Sequence, residues 1–267
     1  MRMATWNVNS IRSRIDRLEA WLTRHEIDVL ALQESKAKDE QFPYERLRAA
    51  GYEVAHHGFN QWNGVAILSR IGLADVQVGF AGAPAWGDPA VVEARAIGAT
   101  VGEGDAAVRL WSVYVPNGRQ LEDPHMDYKI AWLEGLLREA QGWAADGTPV
   151  ALCGDWNIAP FDEDVWSMEF YADKSHVSPR ERAAFHAFLD GGFSDVVRPH
   201  APGPKVYTYW DYQQLRFQKG RGMRIDFVLG SPSFAARVAG AAIDREERKG
   251  AGASDHAPVV VQLEPPA

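Results

Sequence analysis

Short oxygen-bearing side chains stand at the ends of several apolar runs in this chain, and their types suit metal-assisted chemistry. Asp155 and Asn157 follow the apolar run 149–153, which reads as a short buried strand stopped by Gly154 and Pro160. With an extended backbone between them, the two side chains point to one side and Trp156 to the other. Asn7 stands just past a strand that opens the chain, Glu34 ends the apolar run 28–34, and Tyr114 lies near the end of 108–115. Asp226 sits inside the apolar run 224–229, where a carboxylate needs a partner. His256, next to Asp255 and just before a last strand at 259–263, is the candidate. Carboxylate and amide oxygens are hard donors, so Mg2+, with Mn2+ as the alternative, is the expected ion, and the lack of a Cys/His cluster argues against structural zinc. Each residue has a plainer use: Asp or Asn after a strand commonly bonds its own turn, and a terminal Tyr commonly packs. Repetition at one strand end after another is what favours a shared site.

The elements that must carry these residues alternate in character along the chain. Ile11, Ile15, Leu18 and Leu22 have the spacing of an amphipathic helix, with Asn9 or Ser10 as its cap and Asn7 left without a capping role. The run 28–34 is apolar on both faces and should be central in a sheet. Five strand-like runs, 52–56, 64–69, 73–80, 91–100 and 108–115, are separated by turn residues and suggest a mostly antiparallel meander. A helix over about 126–145, with Ile130, Leu133, Leu137 and Ala140 on one stripe, leads back to the Asp155 strand. Ser178, Pro179 and Glu181 form an N-cap, first-turn proline and capping box for a helix that runs to Asp190. The stretch 207–224 interleaves Tyr207, Tyr209, Trp210 and Tyr212 with Arg216, Lys219, Arg221 and Arg224. It suits either an inward-packed strand with a solvated basic loop or a platform for bases and sugars beside phosphate contacts.

A chain of 267 residues, 46% of them hydrophobic, can bury a large core, and no linker, repeat or low-complexity tract divides it, so a single domain over 1–267 is expected. The lone cysteine, Cys153, lies in an apolar run and reads as core; it excludes an intrachain disulfide and suits a reducing compartment. No secretory leader or membrane-length apolar run is visible, which leads us to expect a cytoplasmic protein that does not engage a membrane. The formal charge of −8 is unlike that of a general nucleic-acid coat protein, so a polyanion would be met by a metal ion or by a local set of cations. Lys36, Arg119, Arg216, Lys219 and Arg221 are the candidates, with Arg224 left to strand packing.

Taken together, the motifs Trp6–Asn7–Val8–Asn9, Leu32–Gln33–Glu34–Ser35–Lys36, Tyr114–Val115–Pro116–Asn117, Gly154–Asp155–Trp156–Asn157–Ile158–Ala159–Pro160, Arg224–Ile225–Asp226 and Ser254–Asp255–His256–Ala257–Pro258 resemble, in order, the exonuclease III family of apurinic/apyrimidinic (AP) endonucleases. Several are shared with the wider endonuclease/exonuclease/phosphatase superfamily; the Asn–Ile–Ala–Pro tail, the segment 178–182 and the aromatic stretch 207–212 are similar to the exonuclease III branch in particular. The resemblance implies an α/β (α+β) fold, a DNase I-like four-layered α/β sandwich with two facing mixed β-sheets and the site at strand ends on one edge. It implies Glu34 as principal metal ligand with Asn7 close by and Asp255 completing the sphere, while Asp155, Asn157 and His256 are candidates to touch a second ion. Asp155 would deprotonate the attacking water, Asn157 would hold that water or the phosphate, Tyr114 would donate to a phosphoryl oxygen, and His256, backed by Asp226, would bond the scissile phosphate. Tyr209, Trp210 and Met223 would line the pocket for a flipped abasic sugar. The implied partner is double-stranded DNA with abasic sites or blocked 3′ ends, acted on by a monomer with no obligate protein partner. The chain departs from some relatives at Asn9, where they carry Asp, and at Met223, where they carry an aromatic.

Two other functions are compatible with parts of this pattern. Another superfamily phosphoesterase, acting on an inositol lipid, sphingomyelin or an RNA tail, would use the same metal set without needing the stretch 207–224. A non-catalytic nucleic-acid-binding protein on the same scaffold would be expected to have broken ligands, which this chain does not show.

Overall fold

The computed structural model describes residues 1–265. β1 (Arg2–Asn7), α1 (Ile11–Arg24), β2 (Val29–Gln33), α2 (Tyr44–Ala49), β3 (Glu53–His57) and β4 (Val65–Ser69) come first. β5 (Leu73–Val78), β6 (Ala96–Val101), β7 (Val108–Tyr114), α3 (Pro124–Ala144) and β8 (Val150–Asp155) form the middle. They are followed by α4 (Met168–Tyr171), α5 (Pro179–Asp190), β9 (Ser194–Asp195), β10 (Asp226–Gly230), α6 (Pro232–Ala235), β11 (Val238–Ile243) and β12 (Val259–Leu263).

The strands make two six-stranded sheets, ordered β11-β12-β1-β2-β4-β3 and β5-β6-β7-β8-β10-β9. The expected meander is therefore split: β3 and β4 close one sheet, and β5, β6 and β7 build the other. Most pairs are antiparallel, but β1 runs parallel to β2 and β7 to β8, each pair being joined by a crossover that contains a helix, α1 and α3 respectively. The facing sides of the sheets share a core that includes Met3, Val29, Ala31, Ile67, Leu110, Cys153, Val228 and Val261. Leu30, Leu32, Trp6 and Leu68 instead pack outward with Ile11, Leu18, Trp21 and Leu47, and Trp111, Leu152 and Phe227 with Trp132, Leu136, Phe185 and Phe188. Helix, sheet, sheet and helix thus make the four layers, and β2 is apolar on both faces because it is covered on both. Cys153 is buried between the sheets and its burial pushes the thiol pKa up, so it is core and not a nucleophile.

Local signals fare unevenly. α5 begins as expected, with Ser178 Oγ accepting from the Glu181 amide at 3.3 Å and Pro179 in the first turn. α1 does not: Ser10 stands at the cap with φ 92° and its hydroxyl bonds no helix amide, while the Asn9 side chain is engaged elsewhere. α3 buries Tyr128, Lys129, Trp132, Leu133, Leu136 and Ala140, so Ile130 and Leu137 lie at the margin of its inner face. The stretch 207–212 is not a strand; Tyr209 makes single bridges to Met223 and His256. Among the described residues no helix is long and apolar enough to cross a membrane.

Candidate active site

Register along the strands brings the acids together. Tyr114, Asp155 and Asp226 stand side by side across β7, β8 and β10. In the facing sheet Asn7 pairs with Gln33, so Glu34 emerges beside it, and β12, antiparallel to β1, places Asp255 and His256 at the same edge. The Asn7 amide closes the seam between the sheets, donating from Nδ2 to Glu34 Oε1 at 2.7 Å and to Asp155 Oδ2 at 3.0 Å. That is why Asn7 has no capping role.

Asp155 serves both of the uses open to it. Its Oδ1 accepts from the Asn157 backbone amide at 2.9 Å, a local turn, while Oδ2 faces the seam. Asn157 has φ 51°, so the two side chains are not related by an extended strand; the turn, held by Asn157 Nδ2 donating to Val115 O at 2.9 Å, places them together. His256 Nδ1 is 2.8 Å from Asp226 Oδ2, the pairing expected from the sequence, and its Nε2 is 3.8 Å from Asp155 Oδ2.

The electrostatics divide the roles. Burial alone would lower the His256 pKa, but Asp226 and Asp155 outweigh it and hold the pKa above the usual imidazole value, so the ring is a charged donor. Burial lifts the Asp155 pKa, with Asp226 and Glu34 adding to the lift and His256 opposing it. Glu34 goes the other way: burial is overcome by Lys36, whose ammonium is 2.8 Å from Oε2, and by the Asn7 amide, and its pKa is lowered. Burial and then the nearby Glu34 charge push the Tyr114 phenol well above its ordinary range, which keeps it protonated and able to donate.

These groups line a cavity of about 180 Å³ that includes Glu34, Tyr114, Asp155, Asn157, Asp255 and His256. One ligand atom each from Glu34, Asp155 and His256 lies within 4.8 Å of the others. Carboxylates converging at a buried seam repel one another unless a cation joins them, and this oxygen-rich set fits a hard divalent ion.

The expected DNA contacts divide. Tyr209 and Met223 do line the cavity, the Tyr209 ring lying 4.9 Å from His256. Trp210 does not; it is 1% exposed and packs with Tyr207, Phe217 and Ala257. Trp210→Phe is accordingly expected to lower stability by about 2 kcal/mol, read as a fall in the melting temperature, and to leave the discrimination between damaged and intact DNA unchanged. Arg119, Arg216 and Arg221 line an adjoining cavity of about 250 Å³ with Lys174 and Phe170, while Lys219 is exposed outside both. Lys36 is drawn into the site, on Glu34 and on Asn9 Oδ1 at 2.6 Å. Arg224 is buried between Asp164 and Asp195, at 2.7 and 2.6 Å, and is structural.

Several site residues escaped the sequence reading. His176 lines both cavities, its Nε2 3.2 Å from Asn157 Oδ1, and Asn117 donates to the same oxygen at 3.1 Å. Asn9, read both as a possible cap and as the residue standing where some relatives carry an outer-contact Asp, donates to Asp255 Oδ1 at 3.0 Å, so it orients an acid of the site instead of capping α1. Beneath them Lys129 donates to Asn157 O at 2.7 Å and to Glu181 Oε1 at 2.5 Å, both side chains fully buried. A lysine or a serine–proline–acid helix start reads in sequence as surface or cap; only the fold shows what lies above it.

Two facing mixed sheets with an acid, amide and histidine cluster at one edge are the build of a phosphoester hydrolase, and the chain belongs to the Endonuclease/Exonuclease/phosphatase family, whose profile matches residues 4–256. It is 30% identical to exodeoxyribonuclease III of Haemophilus influenzae, over 97% of this chain and 98% of that one. The 3′ phosphatase NExo from Neisseria, solved bound to product DNA hairpin, superposes with a TM-score of 0.91 at 35% identity, covering 99% of each chain. An AP endonuclease from Archaeoglobus fulgidus superposes with a TM-score of 0.90 at 32% identity, again over 99% of each. Within the larger family its branch is that of the exonuclease III-type AP endonucleases.

Proposed function

We propose that this exonuclease III-type enzyme, a metal-dependent DNA-repair phosphodiesterase, uses Mg2+ to cut duplex DNA on the 5′ side of abasic sites and to clear blocked 3′ ends. The observation that carries this reading is the convergence of Glu34, Asp155 and His256 within 4.8 Å, in a cavity adjoined by one lined with arginines. Action as a monomer, in the cytoplasm, belongs to the same reading.

Glu34 and Asp155, with Asp255 beside them, would hold the ion, and His256, as a charged donor, would face the phosphate instead of the metal. When bound, it supplies positive charge to the phosphoryl oxygens and the departing alkoxide. Asp155 orients the attacking water and takes its proton, and the Asn157 amide holds that water or the phosphate. Tyr114 donates its phenolic proton in a hydrogen bond to one phosphoryl oxygen. His256, kept as imidazolium by Asp226, donates from Nε2 to another, where charge builds in the transition state. The test is cleavage by the purified protein with Mg2+ of a duplex carrying a single abasic-site analogue, beside an undamaged duplex and a soluble inositol phosphate. Hydrolysis of the inositol phosphate alone would transfer the function to another branch of the superfamily.

The same chemistry at a 3′-terminal phosphate is favoured by His176. Its ring lines both cavities and so stands on the way an abasic sugar would take from one into the other. Burial, with Lys129 nearby, holds its pKa down to about 4, so it is neutral and narrows the path by size and not by charge. A terminal phosphate needs no sugar inside. His176→Ala is expected to raise the ratio of abasic-site cleavage to 3′-phosphate removal about tenfold, an effect of ~1.4 kcal/mol on relative transition-state binding. An unchanged ratio in paired assays would remove His176 from substrate selection.

An acidic protein must hold DNA with few cations. Each phosphate contact contributes roughly 0.9 to the slope of log affinity against log salt. Replacing Arg216 and Arg221 together by Gln should therefore flatten that slope by up to about two units. A slope equal to that of wild type would mean that the second cavity is not a phosphate site.

A further inference from the structure

Next to Glu34, the Ser35 hydroxyl is fully buried, with Oγ 2.8 Å from His56 Nε2. On the other side of the ring, His56 Nδ1 is 2.6 Å from Asp39 Oδ1. The imidazole is buried and stacks on Phe42 with ring centroids 4.1 Å apart, whereas the Asp39 side chain is 61% exposed. A serine, histidine and aspartate in this order make an acyl-transfer nucleophile when Oγ can reach a carbonyl. Here it cannot: a Cβ on Gly64 would lie 2.1 Å from Ser35 Oγ, so the backbone closes over the hydroxyl. The chain of bonds must serve something other than covalent chemistry.

What it holds is the turn that presents Glu34. Glu34 and Lys36 have φ of 52° and 49°, left-handed values that non-glycine residues keep only where the surroundings enforce them. Ser35 lies between them, its amide donating to Gly64 O at 3.1 Å and its carbonyl accepting from Ile11 N at 3.0 Å. Glu34 O accepts from Ser10 N at 2.8 Å and Lys36 N donates to Asn63 O at 2.9 Å, so the backbone is held on both sides and the Ser35 side chain adds the one side-chain tie of that residue.

We propose that Asp39, His56 and Ser35 form a positioning relay that locks the left-handed turn and so aims the Glu34 carboxylate at the metal. The relay rests on the reading of Glu34 as a metal ligand. Burial holds the His56 pKa below its ordinary value despite Asp39, so the ring is neutral: Nδ1–H donates to Asp39, and Nε2 accepts from the Ser35 hydroxyl. Each bond sets the polarity of the next, as partners behind metal ligands commonly do.

Mn2+ affinity of the intact, DNA-free protein, measured by the resonance signal of the free ion, tests this without recourse to activity. His56→Phe keeps a stacked ring and removes both bonds; it should weaken Mn2+ binding about tenfold. Asp39→Ala should weaken it by a smaller factor, and the double variant should be no weaker than His56→Phe, because the two residues act through one chain. At saturating Mn2+ kcat should fall while KM for DNA holds, and His56→Gln, which can still accept from Ser35, should recover part of the loss. Wild-type Mn2+ affinity in His56→Phe, with only a lower melting temperature, overturns the relay. If His56→Phe does not fold, Asp39→Ala changes an exposed side chain, and unchanged Mn2+ affinity there overturns the relay equally. Glu34→Gln is the control: should it bind Mn2+ as wild type does, the ligand reading itself fails, whereas its loss of binding beside intact His56 and Asp39 variants sinks the relay alone.

Discussion

Asp155→Asn is expected to bind abasic duplex DNA about as tightly as wild type and to cleave it roughly a thousand- to ten-thousandfold more slowly, the upper part of the range for loss of a general base. The new side chain has the same shape, so Oδ1 can still accept from the Asn157 amide. It cannot take a proton from water, and one of its faces becomes a donor pointed at the Asn7 donor. Removing the charge also relieves a carboxylate whose pKa is already raised by burial, Asp226 and Glu34, so the metal-free variant should melt no lower than wild type. Single-turnover cleavage, binding by fluorescence anisotropy and a melting curve check the three statements. Parallel losses of binding, turnover and stability would make Asp155 a structural residue.

Glu181→Gln should cost about 3–5 kcal/mol of stability, the typical penalty for leaving a buried charge without its counter-ion. Lys129 and Glu181 are both fully buried, and Lys129 holds the carbonyl oxygens of Asn117 and Asn157 at 3.2 and 2.7 Å. Burial would raise the Glu181 pKa, but Lys129 outweighs it and the pKa is lowered; for Lys129 burial wins over the carboxylate, and its pKa is lowered too. The two shifts act oppositely on stability, so the pair contributes little as a pair while either half alone is costly. Because the Glu181 pKa lies below its unfolded value of 4.5, its contribution is complete above that pH and fades as the pH falls through the folded value. The melting-temperature gap between wild type and Glu181→Gln should therefore narrow on acidification below 4.5. A gap below about 1 kcal/mol at neutral pH would show that Lys129 finds water or another acceptor.

The strands that carry the acids were legible because buried apolar runs that stop at an acid or amide are a one-dimensional signal. Asn7, Glu34 and Asp155 stand where that signal places them, and the pairing of Asp226 with His256 follows from the cost of burying a lone carboxylate. Illegible were contacts that periodicity does not encode. Asn9 caps nothing because its partner is Asp255, 246 residues away. Trp210 precedes a run of cations in the sequence but packs with Tyr207, Phe217 and Ala257 in the fold, its backbone amide tied to Asp255 O at 2.9 Å. His176 and Lys129 carry no local mark of the cavity above them. The short β9 and the mixed-composition β11 gave no strand pattern, the latter because its residues are small and half-exposed.

The Asn7 bridge between the sheets has a kinetic and thermodynamic corollary. Glu34 and Asp155, the proposed ligands, belong to different sheets; on that reading neither half of the sandwich offers the ion more than part of its coordination, and a state with undocked sheets has no site to fill. The ion then binds the docked state selectively and deepens its free-energy well by mass action, ~2.7 kcal/mol when free metal is a hundred times its dissociation constant. Divalent metal in the medium becomes a thermodynamic clasp on the sandwich, drawn shut only after the last strand has joined the first.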